Sequence, residues 1–95
     1  MAGYLVAQII KVTDPDGWSE YGAGIAATVE RYGGKFLVRR GEIQPLEGEW
    51  PPRMVIIEFE SVARAREWYD SEEVRPLIEL RQRSAETALS IVEGV

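Results

Sequence analysis

The chain has 95 residues, 45% of them hydrophobic, and a formal charge of −5 from 16 acidic and 11 basic side chains. That length supports one hydrophobic core, and so a single domain over residues 1–95. There is no cysteine and no histidine, which removes disulfides, thiolate metal sites, thiol nucleophiles, the commonest general base and the commonest zinc ligand. The acidic balance argues against nucleic acid as a partner, because phosphate backbones are bound by clustered Lys and Arg.

In chain order, the apolar run from Ala2 to Ile10 has no basic leader or small-residue cleavage site and is too short to cross a bilayer. Its β-branched residues predict a buried strand from Tyr4 to Val12, ended by the turn signal Asp14-Pro15-Asp16-Gly17. A soluble cytoplasmic protein with no membrane partner is the expectation. Trp18, Tyr21, Ile25, Val29 and Tyr32 then recur at steps of three and four, the apolar stripe of an amphipathic helix, which Gly33-Gly34 ends. Lys35 to Arg40 reads as a second strand. The segment Gly41 to Arg53 carries Pro45, Gly48, Pro51 and Pro52 and reads as a long loop.

A third strand is predicted from Met54 to Glu60, followed by Ser61 as the N-cap of a helix that buries Val62, Ala65, Trp68 and Tyr69. Asp70-Ser71-Glu72-Glu73 breaks that helix, and a new one restarts around Pro76 with Leu77, Ile78 and Leu80 in its stripe. Thr87 to Glu93 alternates as a fourth strand, with Leu89 and Ile91 on one face. The resulting order, β-α-β-β-α-β, is the α+β ferredoxin-like arrangement, an antiparallel sheet with its helices on one face.

Such a sheet should alternate apolar and polar residues, yet both faces of these strands are apolar. Leu5, Ala7 and Ile9 oppose Val6, Ile10 and Val12, and Val55, Ile57 and Phe59 oppose Met54 and Ile56. Several hundred Å² of uncovered apolar surface is worth on the order of ten kcal/mol to bury, before association costs. A second copy packed face to face about a two-fold axis is the simplest cover, so a homodimer is expected.

Several segments together resemble the domain of unknown function 1330 family, within the dimeric α+β barrel superfamily. They are the Asp14-Pro15 turn with Tyr21, the run Tyr32-Gly33-Gly34-Lys35-Phe36-Leu37-Val38-Arg39, Leu46-Glu47-Gly48-Glu49-Trp50-Pro51-Pro52-Arg53, Ile57-Glu58-Phe59, Ala65 with Trp68-Tyr69-Asp70-Ser71, and Val92-Glu93-Gly94-Val95. Trp18 stands where tyrosine is more usual, and Glu73-Val74 where Glu-Tyr is. The resemblance implies a homodimer whose two sheets form a barrel-like core. It also implies distant relatives that include cofactor-free monooxygenases, dehalogenases and small-molecule binders.

The candidate ligand-binding residues are Gln8, Tyr21, Arg39, Trp50, Glu58 and Tyr69. Regular alternation puts Phe36 and Val38 toward the helices and gathers Gln8, Arg39 and Glu58 on the partner-facing side. There Arg39 would clamp a small organic anion, and Glu58, the one catalytic candidate, would move a proton without a cofactor. The alternative is a non-catalytic dimer in which Arg39 and Glu58 form a structural ion pair. Trp50, stiffened by Pro51-Pro52, is a lid, an interface arm or a loop anchor. Tyr21 and Tyr69 place hydroxyls in a cavity between helices and sheet, or pack in the core.

Three other features carry no site. Gly22-Ala23-Gly24-Ile25-Ala26-Ala27 has the letters of a dinucleotide fingerprint but lies inside a helix already under way, so small residues for close packing on the sheet explain it. Glu42, Glu47 and Glu49 match no metal-binding spacing and read as solvated loop acids. Arg81-Gln82-Arg83 reads as a solvated face that complements a helix dipole.

Overall fold

A computed structural model describes residues 1–95. The elements run β1 (Gly3–Val12), α1 (Pro15–Arg31), β2 (Lys35–Val38), β3 (Arg53–Phe59), α2 (Val62–Tyr69), α3 (Arg75–Ser84) and β4 (Ala85–Glu93). Asp14 starts α1 as its N-cap, accepting from the Gly17 amide at 3.2 Å, with Pro15 pre-set for the first helical position. Gly33, at φ 74°, takes the left-handed conformation that lets the chain leave this helix. Ser61 caps α2 through the Arg64 amide at 3.1 Å.

The four strands form one antiparallel sheet in the order β2-β3-β1-β4, the ferredoxin-like topology read from the sequence. The departures concern boundaries: β1 begins at Gly3, β2 stops at Val38, β3 runs from Arg53 to Phe59, and β4 begins at Ala85 directly after α3. The helices cover the face carrying Leu5, Ala7, Ile9, Ile57 and Phe59, all buried. At the centre Trp68 is fully buried against Phe59, ring centroids 5.5 Å apart. The Trp68 indole N–H donates to Thr28 Oγ1 at 3.0 Å, and that hydroxyl donates to the Ile25 carbonyl at 2.8 Å, so both buried polar groups are satisfied.

One irregularity changes what the sheet displays. Phe36 pairs with Ile57 but Val38 pairs with Ile56, so Leu37 is an extra residue and β2 bulges there. Because side chains alternate with period two, a one-residue insertion reverses every position after it. Val38 therefore joins Ile56 and Val6 on the face away from the helices, and Arg39 turns to the helix side. The expected grouping of Phe36 with Val38, and of Arg39 with Gln8 and Glu58, is corrected accordingly.

The face away from the helices is uncovered. Val6, Met54 and Ile56 are half-buried there, while Leu37 and Val92 are 46% and 48% exposed. The accessible surface, 6251 Å², exceeds the about 5,500 Å² typical of a globular monomer of this mass. No helix is long and apolar enough to cross a membrane.

Close backbone contact locks β1 to the start of α2. A Cβ on Gly3 would lie 2.5 Å from the Val62 amide nitrogen and 2.6 Å from the Ser61 carbonyl, neither of which can yield as a side chain would. Gly3→Ala is expected to destabilise the protein by about 1–3 kcal/mol, the usual cost of overpacking. Urea denaturation checks this, and an unchanged midpoint would mean that the two segments separate freely.

Candidate functional site

Between α1 and the covered side of the sheet lies a cavity of about 100 Å³. Its floor is Leu5, Ala7 and Ile9 of β1, with Val55 and Ile57 of β3 and Leu89 of β4 beside them. Trp18, Tyr21 and Ile25 of α1 form the roof, and Phe36 of β2 closes one side. The Trp18 and Tyr21 rings stand 5.3 Å apart, one turn along the helix. Four arginines line this space, Arg39, Arg40, Arg53 and Arg81, and no carboxylate does.

Arg81 is the anomaly. It is 3% exposed, and its Nε and Nη1 have no hydrogen-bond partner. The guanidinium carbon lies 5.8 Å from the centroid of the Tyr21 ring, a weak contact that leaves the charge unbalanced. A buried guanidinium without an anion costs several kcal/mol. Arg39 is better served: Nη2 donates to the Gly22 carbonyl at 3.0 Å, and the group stacks 4.4 Å over Phe36. Arg40 and Arg53 are exposed at the mouth.

Of the residues singled out from the sequence, Tyr21 and Arg39 come together in this cavity. Gln8 and Glu58 do not: both lie on the opposite face, where Gln8 pairs with Met54 and Glu58 with Tyr4, four positions apart along β1. The Tyr4 hydroxyl donates to Glu58 at 3.3 Å. Partial burial, and then the neighbouring Glu58 carboxylate, raise the Tyr4 pKa. Arg39 and Glu58 are thus separated by the thickness of the sheet, so neither a shared site nor an ion pair forms between them within the chain.

Trp50 is half exposed, and its indole N–H bonds the Glu47 carbonyl at 3.0 Å, within the long loop and away from the cavity. Tyr69 packs beside Trp68 and borders a shallow depression with Arg66, Ser90 and Ile91.

The model of a domain of unknown function, DUF1330, matches residues 2–95. The chain belongs to the DUF1330 family. No curated protein matches it. Among solved structures it is similar to RPA0582 of Rhodopseudomonas palustris, a protein of unknown function, at 21% identity and a TM-score of 0.69, covering 99% of this chain and 82% of that one. It is also similar to SnoaB of Streptomyces nogalater, a cofactor-independent oxygenase, at 11% identity and a TM-score of 0.74 over 99% and 93% of the two chains. A dimeric ferredoxin-like protein of unknown function from Jannaschia sp. CCS1 matches at 11% identity and 0.73 over 99% and 100%. At these identities the likeness concerns the fold.

In this DUF1330 protein the cavity also uses residues that sequence reasoning passed over: Trp18 in the roof, Arg40 and Arg53 at the mouth, and above all Arg81. Arg81 reads from the sequence as a solvated residue at a helix end, yet it is buried. The available signal was phase, since Val74, Leu77, Arg81 and Ser84 fall at steps of three and four on the side of α3 that packs on α1. Gly24 has a related correction. A Cβ there would meet Leu77 of α3 at 2.9 Å, so this small residue serves helix-to-helix rather than helix-to-sheet packing.

Proposed function

We propose that the protein binds a small organic anion with an apolar, planar body in the cavity beneath α1, with Arg81 as its anchor. The observation that carries this reading is the buried Arg81 guanidinium, two of whose nitrogens have no partner. A carboxylate, or an oxyanion of similar shape, satisfies a guanidinium with two parallel hydrogen bonds and neutralises it. The apolar floor and the rings of Trp18, Tyr21 and Phe36 suit a flat body stacked against them. Arg39, held by Gly22 and Phe36, takes the place of a second contact. That SnoaB is a cofactor-independent oxygenase supports the use of this scaffold for a small-molecule site. Glu58 has no part in this site.

The same reading takes the working unit to be a cytoplasmic homodimer. The uncovered apolar face and a surface about 750 Å² above that of an ordinary monomer of this mass both support it, since a standard interface buries about 800 Å² per partner.

Titration calorimetry with benzoate, and with benzamide as the neutral isostere, tests the anion site. Benzoate is expected to bind at least tenfold more tightly, and Arg81→Gln to weaken it by roughly ten- to a hundredfold, the range for hydrogen bonds to a charged group. Equal binding of acid and amide, or an unaltered Arg81→Gln variant, would sink the reading.

A further inference from the structure

The nine arginines of this chain divide in an uneven way. Arg31, Arg64, Arg66 and Arg75 each pair with a carboxylate on the surface. Arg39, Arg40, Arg53, Arg81 and Arg83 have no such partner, and all of these except Arg83 line one cavity that no acid lines. In a protein with a net charge of −5, four uncompensated positive charges around one apolar space form a local field opposite in sign to that of the whole molecule.

One anionic group does not account for this arrangement. The buried anchor, Arg81, lies inside, whereas Arg40 and Arg53 are exposed at the mouth. The exposed pair is therefore not consumed by an anion seated at Arg81. Resting on the anion site proposed above, we infer that the natural ligand is a dianion: an apolar planar body with one anionic group inside, at Arg81, and a second at the mouth, between Arg40 and Arg53. Arg39 flanks the body, its guanidinium already engaged with Gly22 and stacked on Phe36. Aromatic dicarboxylates belong to this class, as do aromatic acids bearing a second oxyanion.

The test compares benzoate with phthalate, isophthalate and terephthalate, three placements of a second carboxylate on the same ring, by titration calorimetry at fixed ionic strength. One isomer is expected to bind roughly tenfold more tightly than benzoate, the gain from two exposed charge pairs. The Arg40→Gln/Arg53→Gln double variant should lose that advantage, binding the preferred diacid no more tightly than it binds benzoate. Arg83→Gln, a charge removed from an exposed position outside the cavity, should leave the advantage intact. Benzoate binding with no preference for any diacid would overturn the dianion inference and leave the anion site standing, the mouth arginines then serving only to steer. A preference that survives in the double variant, or disappears equally in Arg83→Gln, would overturn it as well. Failure of every acid to bind would remove both.

Discussion

Replacing Arg81 with methionine is expected to make the ligand-free protein more heat-stable while removing its response to benzoate. The two effects have one cause. In the free protein the guanidinium is buried with Nε and Nη1 unpartnered, so its desolvation is offset by little more than a contact with the Tyr21 ring 5.8 Å away. Methionine keeps the long apolar stem and removes the charge. Exchanging an uncompensated buried charge for an apolar side chain of similar reach stabilises by about 1–2 kcal/mol, or several degrees in Tm for a domain of this size. Differential scanning calorimetry of both proteins, with and without benzoate, reads both effects together. A lower Tm in the variant would mean that the guanidinium is already satisfied in the free protein, and the case for an anion would lose its basis.

The second large effect concerns the uncovered face. Ile56→Lys should convert a dimer into a folded monomer. Val38, Ile56 and Val6 form a row across three neighbouring strands of that face. An ammonium in the middle of the row, doubled by two-fold symmetry, would have to be desolvated without a partner in any face-to-face assembly. In the monomer the same position borders water, and the fold, whose core lies on the other side around Trp68 and Phe59, keeps its contacts. Light scattering should give twice the 10.7 kDa chain mass for the natural protein and the chain mass for the variant, with an unchanged far-ultraviolet dichroism spectrum. A monomeric natural protein would leave the apolar face to some other partner, and a variant that remains dimeric would move the contact elsewhere.

Much of this architecture is legible in the chain because the relevant patterns are local. The stripe from Trp18 to Tyr32, the Ser61 cap and the Gly33-Gly34 exit each specify their element within a few residues, and the strand order follows from the alternation of element types. The double apolar character of β1 and β3 is equally readable, since it needs only the period of two. The candidate site was less legible, for a definite reason. Deciding that Arg39 shares a face with Glu58 requires the register of β2 against β3, which the long loop between them leaves undetermined, and the extra residue at Leu37 reverses the answer. Arg81 was obscured differently. Its neighbours Gln82 and Arg83 are exposed, and a charged residue in their company reads as solvated unless its phase with Val74 and Leu77 is weighed above its charge.

The bulge at Leu37 bears on how proteins of this architecture diverge. A chain that paired Leu37 with Ile56 and so closed the bulge would carry the same charges but present Arg39 to whatever covers the sheet, on the side of Glu58, and Val38 to the cavity. A ligand contact would thereby become an interface contact through a change of strand pairing alone, with no substitution at all. Two such chains would differ in what they hold and in how they assemble while remaining nearly identical in sequence, so the register of this strand is more informative about function than many changes of residue type elsewhere.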